Sequence, residues 1–335
     1  MRILFALLLC FVSAAPSVSW AADAPPKRPL VIGHRGAAGA WPEHTMSGYR
    51  AAIEQGADVI DIDLVRTSDG WLIARHENEL GSTTDVARIF PDRKTKKTID
   101  GKVVEGWFTE DFTLDELNAL RTYQFFPFRD LSHDGVDNIP TLAEILALRS
   151  SKSRELGRPI GVSVELRHPG YFRSIGQPME YILHQIMKAW ALDRAGAPVW
   201  LRATELDSLK RMSDVSAAPT VFKLDPNGGE VSDARLAEIA GVAKGIIAVK
   251  TLLIPIARGG SLLPPTDLVT RAHRAGLFVH TYTLRPEDAF LPPSYKGDAL
   301  KEYCDFAKLG VAAITTDTPD LALKAFRESC PMPSR

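Results

Sequence analysis

The 335-residue chain has few cysteines, no dominant sign of charge and, after its first residues, no long apolar run. Its formal net charge of -1 at pH 7 gives no global basic field to recruit nucleic acid or an anionic membrane. No later stretch approaches the roughly 20 apolar residues of a membrane span. We therefore expect neither a nucleic-acid partner nor stable membrane insertion, and the sequence leaves the oligomeric state open.

The first 21 residues have the pattern of a secretory signal peptide. Arg2 is followed by an apolar stretch over residues 3–12, and Ser19-Trp20-Ala21 forms a small-x-small cleavage site. Removing this segment takes away Arg2, so the net charge of -1 becomes -2. We predict an exported protein, periplasmic or secreted. Its two remaining cysteines, Cys304 and Cys330, can form a disulfide in such a compartment, but the sequence does not decide whether they do.

Apolar strand-like runs alternate with amphipathic segments from residue 30 almost to the end, without an internal repeat or low-complexity linker. The alternation predicts βαβ units, with a parallel sheet covered by helices. One α/β barrel domain over residues 22–335 is favoured over two domains. Nine strands are predicted, one more than a barrel of eight needs. They cover residues 30–33, 58–65, 71–75, 160–165, 198–202, 219–224, 245–249, 278–283 and 312–316.

Residues 83–141 interrupt this alternation. They contain a short hairpin predicted around Asp100-Gly101, one helix near residues 114–120 and the aromatic run Phe125-Phe126-Pro127-Phe128. Irregular segments of this length in a compact domain are usually functional insertions or mobile loops. We interpret the segment as an insertion that shapes the mouth of a site.

Charged residues collect where the first four predicted strands end, and in an α/β barrel the site lies at the carboxyl ends of the strands. Asp61 and Asp63 stand at period two, so both point to one face. The full set is His34 and Arg35 on the first strand, Asp61 and Asp63 on the second, His76 and Glu77 on the third, and Glu165 and Arg167 on the fourth.

Asp61, Asp63 and Glu165 offer hard oxygen ligands, which suit Ca²⁺ or Mg²⁺ rather than zinc. The alternative for Asp61 is a rim carboxylate paired with an arginine. His34 and His76 are predicted to act as general acid and base, because the imidazole pKa lies near neutral pH.

Arginine, glutamate and tyrosine side chains complete the predicted site. Arg35 can bind two phosphate oxygens, its alternative being a salt bridge across the barrel mouth, and Arg167 brings a second guanidinium to the same edge. Glu43 is expected to orient a neighbouring group, and Thr45 to cap the helix that follows. Tyr282 either contacts the substrate or packs at the rim. We expect His280 to be packed inside a strand and the remaining histidines to be structural, surface or helix residues.

Seven sequence patterns occur in order along nearly the whole mature chain: Gly33-His34-Arg35-Gly36, Pro42-Glu43-His44-Thr45, Asp61-Ile62-Asp63, Thr67-Ser68-Asp69-Gly70, His76-Glu77, Glu165-Leu166-Arg167 and Ile314-Thr315-Thr316-Asp317-Thr318-Pro319. Together they resemble the glycerophosphodiester phosphodiesterase family, most of all its periplasmic branch. The resemblance implies a TIM (β/α)8 barrel with an insertion after the third strand. It also implies a divalent-metal hydrolase that splits deacylated phospholipids into glycerol 3-phosphate and an alcohol.

By this resemblance, His34 and His76 match the catalytic histidines and Arg35 the phosphate contact. The metal ligands it implies are Asp61, Asp63 and Glu165. The chain departs from the family, which usually has Glu where Asp61 stands, Asp where Glu77 stands and Lys where Arg167 stands. Because Asp61 is one methylene shorter, an ion there must move or bind through a bridging water.

Two other functions fit the same patterns less well. A phospholipase of the same barrel type, similar to phosphatidylinositol phospholipase C or sphingomyelinase D, needs an apolar ledge that enters a bilayer, and only the run at residues 125–128 offers one. A catalytically silent binding protein would keep the barrel without metal-dependent turnover.

Overall fold

The computed structural model describes residues 28–330. The predicted signal peptide, residues 1–21, lies outside this range. Among the described residues, no helix combines the length and the apolar character that crossing a membrane requires.

Eight parallel strands close into a barrel, which confirms the predicted fold. The closure is direct, since β1 pairs with both β11 and β2, and the order around the barrel is β1, β11, β10, β9, β8, β7, β6, β2. These strands are β1 (Leu30–Gly33), β2 (Val59–Arg66), β6 (Gly161–Leu166), β7 (Val199–Ala203), β8 (Thr220–Lys223), β9 (Gly245–Val249), β10 (Phe278–Leu284) and β11 (Ala313–Thr316).

The ninth predicted strand lies outside the closed barrel. β3 (Leu72–Ala74) pairs antiparallel with the end of β2, across a turn at residues 67–70. In that turn the Thr67 hydroxyl donates to Asp69 and accepts from the backbone N–H of Trp71. The hairpin carries the chain back along the rim, so that His76 follows β3 at the same end of the barrel as the other strand ends.

Helices surround the barrel, and an apolar layer lies between them and the strands. A second cluster fills the barrel interior and includes Ile32, Val59, Trp200, Val221 and Ile247. The helices are α1 (Met46–Glu54), α2 (Val86–Ile89), α3 (Leu114–Asn118), α4 (Leu142–Glu155), α5 (Pro169–Ser174), α6 (Glu180–Ala189), α7 (Leu206–Val215), α8 (Asp233–Ala240), α9 (Lys250–Leu253), α10 (Leu268–Arg274), α11 (Ala299–Lys308) and α12 (Pro319–Glu328).

The segment at residues 83–141 contains the predicted hairpin, formed by β4 (Thr95–Ile99) and β5 (Lys102–Gly106), and the predicted helix, which is α3. It docks on the first loop of the barrel. The side-chain amide of Gln124 donates to the carbonyl oxygens of Ala38 and Trp41, each at 3.1 Å. Its last residues return beside β3, where the N–H of Ala74 donates to the carbonyl of Pro140 at 2.9 Å.

A disulfide joins Cys304 in α11 to Cys330 after α12, with Cα atoms 5.1 Å apart. The pairing that the sequence allowed is therefore present. It ties the last helix of the described chain to the helix before it.

Candidate active site

A cavity of about 190 Å³ opens at the carboxyl ends of the barrel strands. It brings together most of the predicted site residues with several that the sequence did not single out. Its lining consists of His34, Arg35, Asp61, Asp63, His76, Glu165, Arg202, Lys223, Tyr282, Thr283, Arg285 and Thr315.

A tight turn after β1 places His34 and Arg35 at the rim. Arg35 and Gly36 have φ angles of 53° and 96°, and a Cβ on Gly36 would lie 2.8 Å from the backbone carbon of Gly48. Glycine is therefore required where the turn passes close to α1. Thr45 caps α1 as predicted, its hydroxyl accepting from the N–H of Gly48 at 3.1 Å.

His34 is held by a carboxylate from the opposite end of the chain. Its Nδ1 lies 2.6 Å from Oδ1 of Asp317, whose other oxygen accepts from Arg129 and Arg285, each at 2.7 Å. Burial opposes the charge of Asp317, but His34 and the two arginines hold its pKa well below the usual range. Because this carboxylate accepts from Nδ1, the Nε2 atom of His34 is left for reacting groups.

His76 has a comparable arrangement on the other side of the cavity. Its Nδ1 lies 2.8 Å from Oε1 of Glu77, and Arg167 donates to Glu77 at 3.0 Å and to the carbonyl of His76 at 2.8 Å. Burial, with Arg35 next, lowers the imidazole pKa to about 4 in His76 and to about 3 in His34. Both rings are neutral at neutral pH in the free protein.

Arg35 lies between the first two strand ends. It donates to Oε2 of Glu43, and its Nε lies 3.4 Å from Oδ2 of Asp63. His44 also contacts Asp63, at 3.2 Å, and its other ring nitrogen lies 2.7 Å from the Tyr49 hydroxyl. Glu43 thus holds the guanidinium of Arg35 from one side, and His44 is fully buried behind Asp63.

The three carboxylates predicted to bind a metal do converge. Strand register places Asp63 beside Glu165 and Glu165 beside Arg202, on β2, β6 and β7. Asp61 lies two residues before Asp63 on the same inward face of β2. All three carboxylates are almost completely buried, so each needs compensating positive charge nearby.

The guanidinium of Arg202 lies among these carboxylates. Its Nη2 donates to Oδ1 of Asp61 and lies 3.4 Å from Oδ1 of Asp63, and its Nη1 lies 3.5 Å from Oε2 of Glu165. Asp61 is therefore paired with an arginine, the contact that one of its two interpretations from the sequence anticipates. Burial and the neighbouring carboxylates still raise the pKa of Asp61 to about 7.

Lys223 and Arg167 complete the contacts of Glu165. The Nζ atom of Lys223 lies 3.0 and 3.1 Å from its two oxygens, and Nη1 of Arg167 donates at 2.7 Å. Burial opposes the charge, yet these cations lower the pKa of Glu165 to about 2. Within residues 28–330, no group of three or more His, Cys, Asp or Glu side chains is arranged so that it could hold a metal ion.

The two remaining predicted substrate contacts differ in position. Tyr282 lines the cavity, and burial raises the pKa of its hydroxyl to about 12. Arg167 is absent from the lining of this cavity. Its guanidinium donates to Glu165, Glu77 and the carbonyl of His76.

Sequence reasoning assigned no role in the site to several of its charged residues: Asp317, Arg129, Arg285, Arg202, Lys223 and His168. Arg202, Lys223 and Arg285 stand at or just after the ends of β7, β8 and β10, so the rule used for the first four strands would have found them. His168 was expected on the surface or in a helix. It follows β6 and bridges Glu77 and Asp100, at 2.9 and 2.6 Å.

The fold and this site define a TIM-barrel enzyme of the phosphodiesterase type. The sequence model of the glycerophosphoryl diester phosphodiesterase family matches residues 34–321. The chain therefore belongs to this family, and it is an enzyme, a phosphoric diester hydrolase of the glycerophosphodiester class.

The sequence of this chain aligns with individual relatives over most of their lengths. Glycerophosphodiester phosphodiesterase GDPD6 of Arabidopsis thaliana is 33% identical over 87% of this chain and 84% of its own. A Haemophilus influenzae glycerophosphodiester phosphodiesterase is 25% identical over 88% and 89%.

Solved structures share the fold. An Oleispira antarctica phosphodiesterase in complex with the product sn-glycerol-3-phosphate has a TM-score of 0.60 at 20% identity, over 90% of this chain and 98% of that one. A glycerophosphodiester phosphodiesterase from Agrobacterium tumefaciens has a TM-score of 0.59 at 18% identity, over 88% and 98%.

Proposed function

We propose that the chain hydrolyses small glycerophosphodiesters, the deacylated phospholipids, to glycerol 3-phosphate and an alcohol, with His34 and His76 as the acid–base pair. The observation that carries this proposal is that both histidines line one cavity and each has its Nδ1 paired with a carboxylate. This pairing fixes the tautomer and leaves Nε2 of each ring for proton transfer.

The phosphodiester is anionic, and cationic side chains surround the cavity. Arg35, Lys223 and Arg285 line it together with the two histidines. Arg35 is oriented by Glu43 and Asp63, so its guanidinium is held in place for a bidentate phosphate contact. The negative charge of the bound diester also favours the protonated form of a neighbouring imidazole. This offsets the lowered histidine pKa values of the free protein.

The reaction proceeds in two steps. The neighbouring glycerol hydroxyl attacks phosphorus while one histidine accepts its proton. The P–O bond to the head group breaks, and the other histidine donates a proton to the departing alcohol. Water then opens the resulting cyclic phosphate with the two roles exchanged, which yields glycerol 3-phosphate and restores both histidines. The proposed role of Arg167 is to position His76 and Glu77.

A hard divalent ion, Ca²⁺ or Mg²⁺, is the cofactor that the resemblance implies for Asp61, Asp63 and Glu165. The side chains do not fit such an ion as they stand, because the Arg202 guanidinium contacts all three carboxylates. In the reaction proposed above, side chains of this chain carry out every proton transfer and every phosphate contact.

The test is release of glycerol 3-phosphate from a panel of glycerophosphodiesters that carry choline, ethanolamine, inositol or glycerol, beside intact phosphatidylinositol, sphingomyelin and a lysophospholipid. We expect turnover of the small diesters and no turnover of the two-chain lipids. Preferential cleavage of intact lipid would support the phospholipase alternative instead. Export to the periplasm or medium is a separate proposal, tested by locating the protein in fractionated cells and sequencing its mature N-terminus.

A further inference from the structure

Arg202 contacts the side chains that are predicted to hold a metal ion. Its guanidinium contacts each of the three carboxylates that would otherwise surround an ion, and the side chain is only 5% exposed. A cation that bridges Asp61 and Asp63 would have to lie where Nη2 already lies.

The charge balance around the carboxylates points the same way. Three carboxylates, Asp61, Asp63 and Glu165, are contacted by four permanently or normally charged cations, which are Arg35, Arg167, Arg202 and Lys223. Arg35 and Arg167 are shared with Glu43 and Glu77, and Arg75 also contacts Glu43, so five cations already balance five carboxylates without an ion. A divalent ion would add two uncompensated positive charges to this largely buried cluster. Such repulsion is weakly screened in a protein interior.

The lengths of the two side chains favour the same pairing. The carboxylate of Asp61 lies close to its own strand, because an aspartate side chain is short. Arg202 on β7 reaches across β6 to this carboxylate, since β6 lies between β2 and β7 in the barrel. The long side chain of Arg202 therefore spans the distance that the short side chain of Asp61 leaves open.

We propose that Arg202 is a built-in cation that occupies the metal position of this site, so that positive charge facing the phosphate comes from side chains and not from a bound divalent ion. The phosphate substrate in this inference comes from the proposed function, whereas the statement about metal binding does not depend on that function. Arg202 and Lys223 both line the cavity, so both can face a phosphate group there.

The first experiment measures ion binding by the full mature chain. Ca²⁺ and Mg²⁺ are titrated by calorimetry, and the metal content of the purified protein is measured by mass spectrometry. The melting temperature is recorded with excess chelator and with about 10 mM ion. We expect no stoichiometric binding, no change in melting temperature, and glycerol 3-phosphate release within about twofold with and without chelator. Stoichiometric binding with a raised melting temperature, or activity abolished by chelator, would overturn the proposal.

The second experiment removes the built-in cation. Arg202→Gln should create an ion site, so that Ca²⁺ or Mg²⁺ now binds and raises the melting temperature, and Arg202→Gln with Asp61→Glu should bind more tightly. Asp61→Glu alone should not bind, since Arg202 remains. The matched control is Arg75→Gln, which removes another buried arginine, one that contacts Glu43 rather than the three carboxylates.

These readouts separate the two proposals. If the wild-type chain turns over none of the diesters, the proposed function fails, while calorimetry and melting still decide the role of Arg202. If Arg202→Gln does not fold, Arg202→Met serves in its place, because it removes the charge and keeps an unbranched side chain that fills much of the same space. Failure of every folded Arg202 variant to gain an ion response would contradict the proposal.

Discussion

At the scale of single residues, the two histidines differ in how they are held. Asp317, the partner of His34, is fully buried and bound by Arg129 and Arg285. Glu77, the partner of His76, has a half-exposed side chain and is bound by Arg167 and His168. His34 therefore has the more buried and more extensively bound partner of the two.

Removal of either histidine should impair the chemistry and preserve the fold. We expect His34→Ala and His76→Ala each to lower kcat on the order of 10²- to 10⁴-fold, with little change in KM. The double variant should lose much less than the product of the single losses, because acid and base act as one unit.

Steady-state kinetics and melting temperatures of the three variants provide the check. His133→Ala is the control, since His133 stacks on Trp41 and is absent from the lining of the cavity. Multiplicative losses in the double variant would contradict a joint acid–base role for the two histidines. A near-native kcat in one single variant would assign a structural role to the histidine that it lacks.

At the scale of elements, the insertion contributes an aromatic wall beside His34. Phe125 and Phe126 line a recess that also contains His34, Arg35 and Asp317. Phe126 packs on Phe290 of the barrel, with ring centroids 5.2 Å apart, and the guanidinium of Arg129 lies 4.7 Å from its ring centroid. The wall is therefore anchored to the barrel on the side of the insertion that faces the site.

We predict that this wall limits substrate size, admitting deacylated diesters and excluding two-chain lipids. Phe126→Ala should raise KM for a small glycerophosphodiester or increase relative activity towards a lysophospholipid, because it opens the recess. Phe128→Ala is the matched control, since Phe128 stacks on Phe126 but is absent from the lining of the recess. A lower melting temperature with unchanged substrate choice would show that Phe126 only packs the insertion against the barrel.

At the scale of the whole molecule, strand and helix alternation predicted a parallel sheet covered by helices, and the resemblance to the phosphodiesterase family implied the TIM barrel. The alternation could not distinguish β3 from a barrel strand, because a short buried run has the same pattern whether its neighbour is parallel or antiparallel. Local patterns identified His34, Asp63 and His76. Contacts such as His34 with Asp317, or Asp61 with Arg202, depend on barrel closure and register, which residue spacing along the chain does not encode.

The disulfide should stabilise the whole barrel without affecting chemistry. Cys304 and Cys330 are 26 residues apart, and closing a loop of this length costs the unfolded chain about 3.5 kcal/mol of conformational entropy. Cys330 follows α12, which starts at the catalytic end and runs to the opposite end of the barrel. Cys304→Ala with Cys330→Ala should lower the free energy of unfolding by about 2 to 4 kcal/mol and leave kcat unchanged.

Denaturant unfolding of this double variant and of the wild type, each with and without dithiothreitol, measures the effect. Reductant should destabilise the wild type and leave the variant unaffected. Equal unfolding curves for the two oxidised proteins would contradict the prediction.

The acid stability of the molecule should depend on a histidine inside the barrel. His280 is fully buried between Trp200 and Phe278, and both its ring nitrogens lack a hydrogen-bond partner among the described residues. Burial, with Arg202 next, lowers its pKa to about 3, against roughly 6.5 in the unfolded chain. Between these values the unfolded state binds a proton that the folded state does not, so stability present above about pH 6.5 is lost as the pH falls.

His280→Leu removes the titrating imidazole without a large change in side-chain volume. From pH 6.5 to pH 5, the wild type should lose about 1 to 2 kcal/mol more unfolding free energy than the variant does, while at pH 7.5 the two should agree within about 1 kcal/mol. The comparison cancels the contributions of His34, His76 and the site carboxylates, which both proteins share. Denaturant unfolding across the pH series measures the difference, and His273→Leu, which removes an exposed histidine, is the control. Parallel losses in the wild type and His280→Leu would mean that His280 accepts a proton in the folded barrel, and the acid sensitivity would then have to arise at the catalytic end.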